Sequence, residues 1–138
     1  MKRIKNIALY VWQLPQNLLG VLLVALLRPE RVHVMENGNR ICFATRMCGG
    51  ISLGKYSIVN TSHYRKDISE SLKRDTVRHN AIGHATQSLY LGWLYLIVIG
   101  LPSLVWAMLY GTVVKPTKSK YYKFYTELWA DKLGEVKR

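Results

Sequence analysis

Two long stretches of this chain carry no charged side chain at all, residues 6–27 and residues 85–114. A helix rises 1.5 Å per residue, so about 20 uncharged, mostly apolar residues match the ~30 Å hydrocarbon core of a bilayer. Both stretches therefore read as membrane segments, and a plain soluble domain is not expected. The remaining residues hold all of the charged side chains. Lysine and arginine total 20 against 8 acidic residues, a formal net charge of +12. Two cysteines exclude a disulfide scaffold, and 49% hydrophobic residues exclude a disordered chain.

The first stretch follows a basic arm of Lys2, Arg3 and Lys5 and is interrupted by Gln13, Pro15, Gln16 and Asn17. Its exit, Leu27-Arg28-Pro29-Glu30, lacks the small-residue pattern of a signal cleavage site, so a retained anchor is expected. The second stretch contains Gly100 and Pro102 near its middle, which suits either one kinked span or a helical hairpin that enters the membrane and returns. Charge bears on this choice. The N-terminal arm has net charge +3, residues 28–84 net +5 and residues 115–138 net +4. Cytoplasmic flanks are enriched in lysine and arginine. Two simple spans place the middle segment opposite both ends. Hairpins bending near Pro15 and Pro102, or a chain lying in one leaflet, place all three segments on the cytoplasmic side. The basic excess flanks apolar segments, so anionic lipid headgroups are its expected partner and nucleic acid is not. The chain divides into an N-terminal membrane anchor or hairpin, residues 1–30, and a domain over residues 31–138 that contains a membrane-embedded segment at 89–114.

Between the apolar stretches the pattern changes. Val32-His-Val-Met35 alternates, Asn37-Gly38 is a hairpin signal, and Ile41–Thr45 and Ile51–Val59 follow as strands. From Asp67 the spacing turns helical, with Asp67 or Ser69 as the expected cap. The expected class is α+β: a small antiparallel sheet beside a helix, plus two apolar helical segments.

Two short constellations carry chemistry. Arg78-His-Asn-Ala-Ile-Gly-His-Ala-Thr-Gln-Ser88 ends a helix that follows the strands, and Thr126-Glu-Leu-Trp-Ala-Asp-Lys-Leu-Gly134 lies in a helical C-terminal piece. Together they resemble the gluzincin zinc metallopeptidases, in particular the membrane-embedded kind. That pattern is His-Glu-x-x-His on one helix and Glu-x-x-x-Asp on another. Glu127 and Asp131 match the second half, and Gly83-His84 matches the end of the first. The resemblance implies a zincin-like fold, with zinc held by His84, Glu127 and His79 and with Asp131 orienting a histidine.

The first half departs from the pattern. With Gly83-His84 fixed, Asn80 takes the first ligand position and Ala81 the position of the general base. Neither can do that chemistry. His79 lies five residues before His84, about 140° away around a regular helix. A one-residue π-bulge brings the two imidazoles onto one face. Asn80 then follows His79 where the base belongs. The expected function is a membrane-associated, zincin-like relative of metallopeptidases that has lost ordinary catalysis. Its expected partners are membrane lipids and a peptide or membrane-protein substrate. The alternative is a non-enzymatic basic membrane protein that binds anionic lipid or a membrane partner. His33 and His63 are expected to have no role. Cys42 and Cys48 read as free thiols, with a metal role beside His84 as the minor alternative. Finally, His84 and Glu127 flank the second apolar stretch. A straight span of about 25 residues separates them by more than 30 Å, so a shared metal requires the hairpin.

Overall fold

A computed structural model describes residues 1–47, 49–61, 70–110 and 121–137. The expected caps Asp67 and Ser69, and also Cys48 and His63, lie outside them. Helix α1, Lys2–Trp12, breaks at Gln13 into α2, Leu14–Leu27, with an 86° bend. Pro15 sits in the first turn of α2, where its missing N–H leaves no bond unmade. Four strands follow: β1 Arg31–Val34, β2 Arg40–Ala44, β3 Gly50–Leu53 and β4 Tyr56–Asn60. Helix α3, Glu70–Val77, runs into a π-helical turn, Arg78–His84, and on through α4, Ala85–Leu91. A short 3-10 turn, Gly92–Leu94, a second π-turn, Leu96–Gly100, and α5, Leu101–Leu109, follow along the described part of the second apolar stretch. Helix α6 covers Tyr125–Leu133.

The class is α+β, as expected, but the sheet differs from the expected three antiparallel strands. It is four-stranded and mixed, in the order β1-β2-β4-β3, with β2 and β4 parallel. The stretch expected as one strand, Ile51–Val59, folds back on itself. Gly54, at φ +63°, opens a two-residue turn, and Leu53 pairs with Tyr56 across it. The returning strand β4 then inserts between β3 and β2.

Both faces of the central β2–β4 pair are covered, which suits parallel pairing, while β1 is exposed along its length. Side chains alternate along a strand. Ile41, Phe43 and Val59 face the π-turn and pack with Ala81. Cys42, Ala44 and Ile58 face the other way and pack against Leu23, Val24 and Leu27 of α2. Residues 14–27 therefore share a core with the sheet. Cys42 lies on the face away from Ala81, so it takes no part in a cluster with His84.

No single helix among the described residues is long and apolar enough to cross a membrane. Residues 73–94 and 96–109 form instead a pair bent by 120°. The bend falls at Gly92–Tyr95, not at Pro102. Gly92 adopts φ +54° and ψ −126°, a conformation open to glycine. Pro102 sits in the first turn of α5, where proline is well tolerated. A Cβ on Gly92 would also lie 2.3 Å from the Trp12 ring. Gly92→Ala is therefore expected to destabilise the protein by about 1–3 kcal/mol in denaturant titration, through strain and overpacking. Gly49→Ala, where an added Cβ meets nothing within 4 Å, should stay within about 0.5 kcal/mol of the parent.

Candidate metal centre

The π-turn positions the first two side chains. Its hydrogen bonding reaches five residues back, as in the bond from the Ala85 amide to the Asn80 carbonyl. One extra residue per turn places His79 and His84 on a common face, with ring centroids 4.7 Å apart and planes nearly perpendicular. Helix α6 brings the third. It approaches so closely that a Cβ on Gly83 would lie 2.2 Å from the Ala130 carbonyl oxygen. The 120° bend between α4 and α5 is what allows a helix beyond the apolar stretch to come back to this point.

His79, His84 and Glu127 converge there, all buried, each offering one ligand atom within 4.8 Å of the others. Glu127 Oε2 lies 3.0 Å from His79 Nε2 and 3.5 Å from His84 Nε2. For comparison, a tetrahedral ion with bonds of ~2.0–2.1 Å holds its ligand atoms about 3.3 Å apart. The three side chains can geometrically hold a metal ion.

Neighbouring groups fix which atoms face inward. Asp131 Oδ1 lies 2.6 Å from His79 Nδ1. A carboxylate only accepts, so Nδ1 carries the hydrogen and donates it. Gln87, fully buried on α4, does the same for His84. Its amide nitrogen donates to the Thr126 carbonyl at 2.9 Å, which leaves its oxygen facing His84 Nδ1 at 2.7 Å. His84 Nδ1 therefore donates as well. The Nε2 atoms of both histidines are left as acceptors, pointing at a carboxylate oxygen. Glu127 is held in turn by its other oxygen, Oε1, which accepts from Ser103 Oγ of α5 and from Thr126 Oγ1 at 3.0 Å. Three lone-pair atoms thus face one another, and a cation or a proton must lie between them.

Protonation follows the same geometry. Burial by itself lowers the His79 pKa, but hydrogen bonds to Asp131 and Glu127 and their negative charge outweigh it, and the net shift is upward. Burial by itself raises the Glu127 pKa. Its bonds to the two histidines, and then to Ser103, hold the carboxyl well below the usual carboxylate range.

The structure brings together His79, His84, Glu127 and Asp131, as the sequence pattern requires. Asn80 and Ala81 separate. Ala81 lies in the sheet core with Phe43 and Val59. Asn80 is wedged against β3, where a Cβ on Gly50 would lie 2.6 Å from its Nδ2, and it donates to the Thr76 carbonyl at 2.9 Å. His33 is exposed on β1 and joins nothing at the site. Three contributors escape motif reading: Gln87, Ser103 and Tyr122, whose ring meets His79 edge-on at 5.4 Å. A polar side chain in an otherwise apolar stretch is the signal that points to the first two. Comparison with known protein families, curated proteins and solved structures finds no match for this chain.

The proton on His79 sets a pH dependence in chelator-treated protein. A raised folded-state pKa contributes stability that is complete below the unfolded value, about 6.5, and is lost as pH rises through the folded value. Denaturant titrations should show stability falling above about pH 6.5, and Asp131→Asn should shrink that fall. Gly83→Val should separate α6 from the π-turn and destabilise by about 1–3 kcal/mol.

Proposed function

We propose that this protein is a membrane-associated, zinc-binding relative of the gluzincin metallopeptidases whose peptidase chemistry is degenerate. The observation that carries this reading is the inward-facing set of His79 Nε2, His84 Nε2 and Glu127 Oε2, with both histidines fixed in that orientation by Asp131 and Gln87. Two imidazoles and one carboxylate suit zinc in a site that leaves a fourth position open. Such an ion supplies Lewis acidity and lowers the pKa of bound water.

Among the described residues the site shows no group placed to take the proton from that water. Asn80 follows His79 where the base belongs, and an amide does not titrate. Its side chain is also turned to the Thr76 carbonyl. Asp131 is committed to His79, and Glu127 to the metal position and to Ser103. A general base contributes typically 10²–10⁴-fold to rate, so the metal is bound without efficient peptide hydrolysis.

Elemental mass spectrometry of protein purified in detergent tests this. About one zinc per chain is expected, with loss in His79→Ala, His84→Ala and Glu127→Ala. A zinc-free parent protein sinks the reading and leaves a basic membrane protein with a buried ionic cluster. Peptidase assays address the second half. The zinc-loaded parent should be inactive on unfolded protein substrates, whereas Asn80→Glu is the one substitution expected to gain zinc-dependent cleavage. Zinc-dependent cleavage by the parent, abolished in Glu127→Ala, would show that the base comes from elsewhere. Metal binding should also release a proton from His79. Zinc affinity should then rise about tenfold per pH unit below the His79 pKa and level off above it.

A further inference from the structure

The two bent helix pairs are built inside out. On α2, Gln16 and Asn17 are completely buried while Leu18, Leu22 and Leu26 are 58%, 56% and 62% exposed. On the second pair, Gln87 and Ser88 are completely buried while Ile97, Leu101 and Val105 are 67%, 59% and 46% exposed. The buried polar groups join the pairs to one another. Ser88 Oγ donates to Gln13 Oε1 at 2.7 Å, and Gln16 Nε2 donates to the Gly92 carbonyl at 2.7 Å. Across the same seam, the Trp12 indole N–H donates to the Leu89 carbonyl and the Trp93 N–H to the Val11 carbonyl, each at 2.9 Å. In water, polar groups turn outward and leucines inward. In hydrocarbon, polar groups must find partners within the protein and the apolar surface faces lipid.

Length limits how deep these pieces reach. At 1.5 Å per residue, α1 is about 16 Å long, and α2 and the arm 96–109 about 21 Å each. Each is shorter than the ~30 Å hydrocarbon core but long enough to enter one leaflet. Helix α1 is also two-sided, with Ile4, Ile7 and Val11 exposed along one stripe and Lys2, Arg3 and Lys5 at its start. That is the composition of a helix lying at a charged interface.

From these observations we infer that both bent pairs insert side by side into a single leaflet of an anionic bilayer, without crossing it. The chain's basic segments, the sheet and the metal centre then lie on one side of the membrane. The inference rests on the membrane-associated part of the proposed function. It selects lipid as occupant of the apolar face because all three polar segments carry net positive charge.

The test uses full-length protein with vesicles of phosphatidylcholine, alone or mixed with phosphatidylglycerol. Binding should favour the anionic vesicles, and the triple variant Lys2→Gln, Arg3→Gln, Lys5→Gln should lose at least tenfold of that binding. In a Cys48→Ser background, Lys5→Cys, Val34→Cys and Lys137→Cys should all react with a membrane-impermeant thiol reagent from the same side. Cys42, 1% exposed, should stay unlabelled. Labelling from opposite sides would show a true span and overturn the inference. A defined dimer in solution with no vesicle binding would also overturn it, because the apolar face would then be a protein interface. Zinc measured on the same preparations separates the two readings: opposite-side labelling with zinc bound removes only the placement, and same-side labelling without zinc removes only the metal centre.

Discussion

The extra residue in the π-turn between Arg78 and His84 is the constraint on which the site depends. In a regular helix His79 and His84 diverge, and no third group can meet both. The turn closes that angle, but it strains the hydrogen-bond ladder, and the freed groups must be satisfied. The Asn80 carbonyl takes the Ala85 amide and lies 3.4 Å from Ser57 Oγ of β4. Asn80 and Gly50 fit together because glycine leaves the space. On the opposite side, Gly83 lets the α6 backbone approach. The sheet, the turn and α6 are therefore fixed against one another by small residues, and the histidines are aimed by backbone geometry before any ligand enters.

The same economy of partners holds between the helix pairs. Gln13, Gln16 and Ser88 bond across the seam between the pairs, and Asn17 reaches the sheet hairpin. Asn17 Oδ1 accepts the Lys55 amide at 2.8 Å, directly beside the Gly54 turn. The N-terminal pair thus touches the β3–β4 hairpin, which in turn supports the π-turn. Buried bonds of this kind are costly to leave unmade, so the seam fixes how the pairs sit relative to one another and not merely that they associate.

Much of this was legible in the sequence. Charge-free stretches marked the helix pairs, and uniform positive charge in the three remaining segments favoured bent pairs over simple spans. The five-residue spacing of His79 and His84 by itself requires a π-bulge if the two rings are to share a face. Other features were not legible. The run Ile51–Val59 alternates well enough to pass as one strand, and its interior Gly54 reads as a bulge as readily as a turn. The parallel pairing of β2 with β4 depends on that fold-back, so local pattern did not reveal it. Proline drew attention to position 102, whereas the bend required a backbone conformation that Gly92 alone supplies. Gln87 and Ser103 belong to no motif, because their roles exist only once distant segments have met.

Their placement also bears on what a bound cation would do for the fold. Glu127 is gripped by Ser103 from the returning arm of the second pair, His84 by Gln87 from the outgoing arm, and Gln87 by the Thr126 carbonyl of α6. Every protein ligand is thus tied to a different part of the apolar hairpin or to α6 itself. Without a cation, buried lone pairs confront one another and the cluster depends on a proton to hold it. With one, the same atoms become the strongest link between the π-turn and α6. The arms of the bent pair support Glu127 and His84, so displacing either arm would disturb the convergence of the three side chains. On the proposed reading, an ion held by His79, His84 and Glu127 would fasten α6 and the returning arm of the second pair to the histidine helix that packs on the sheet.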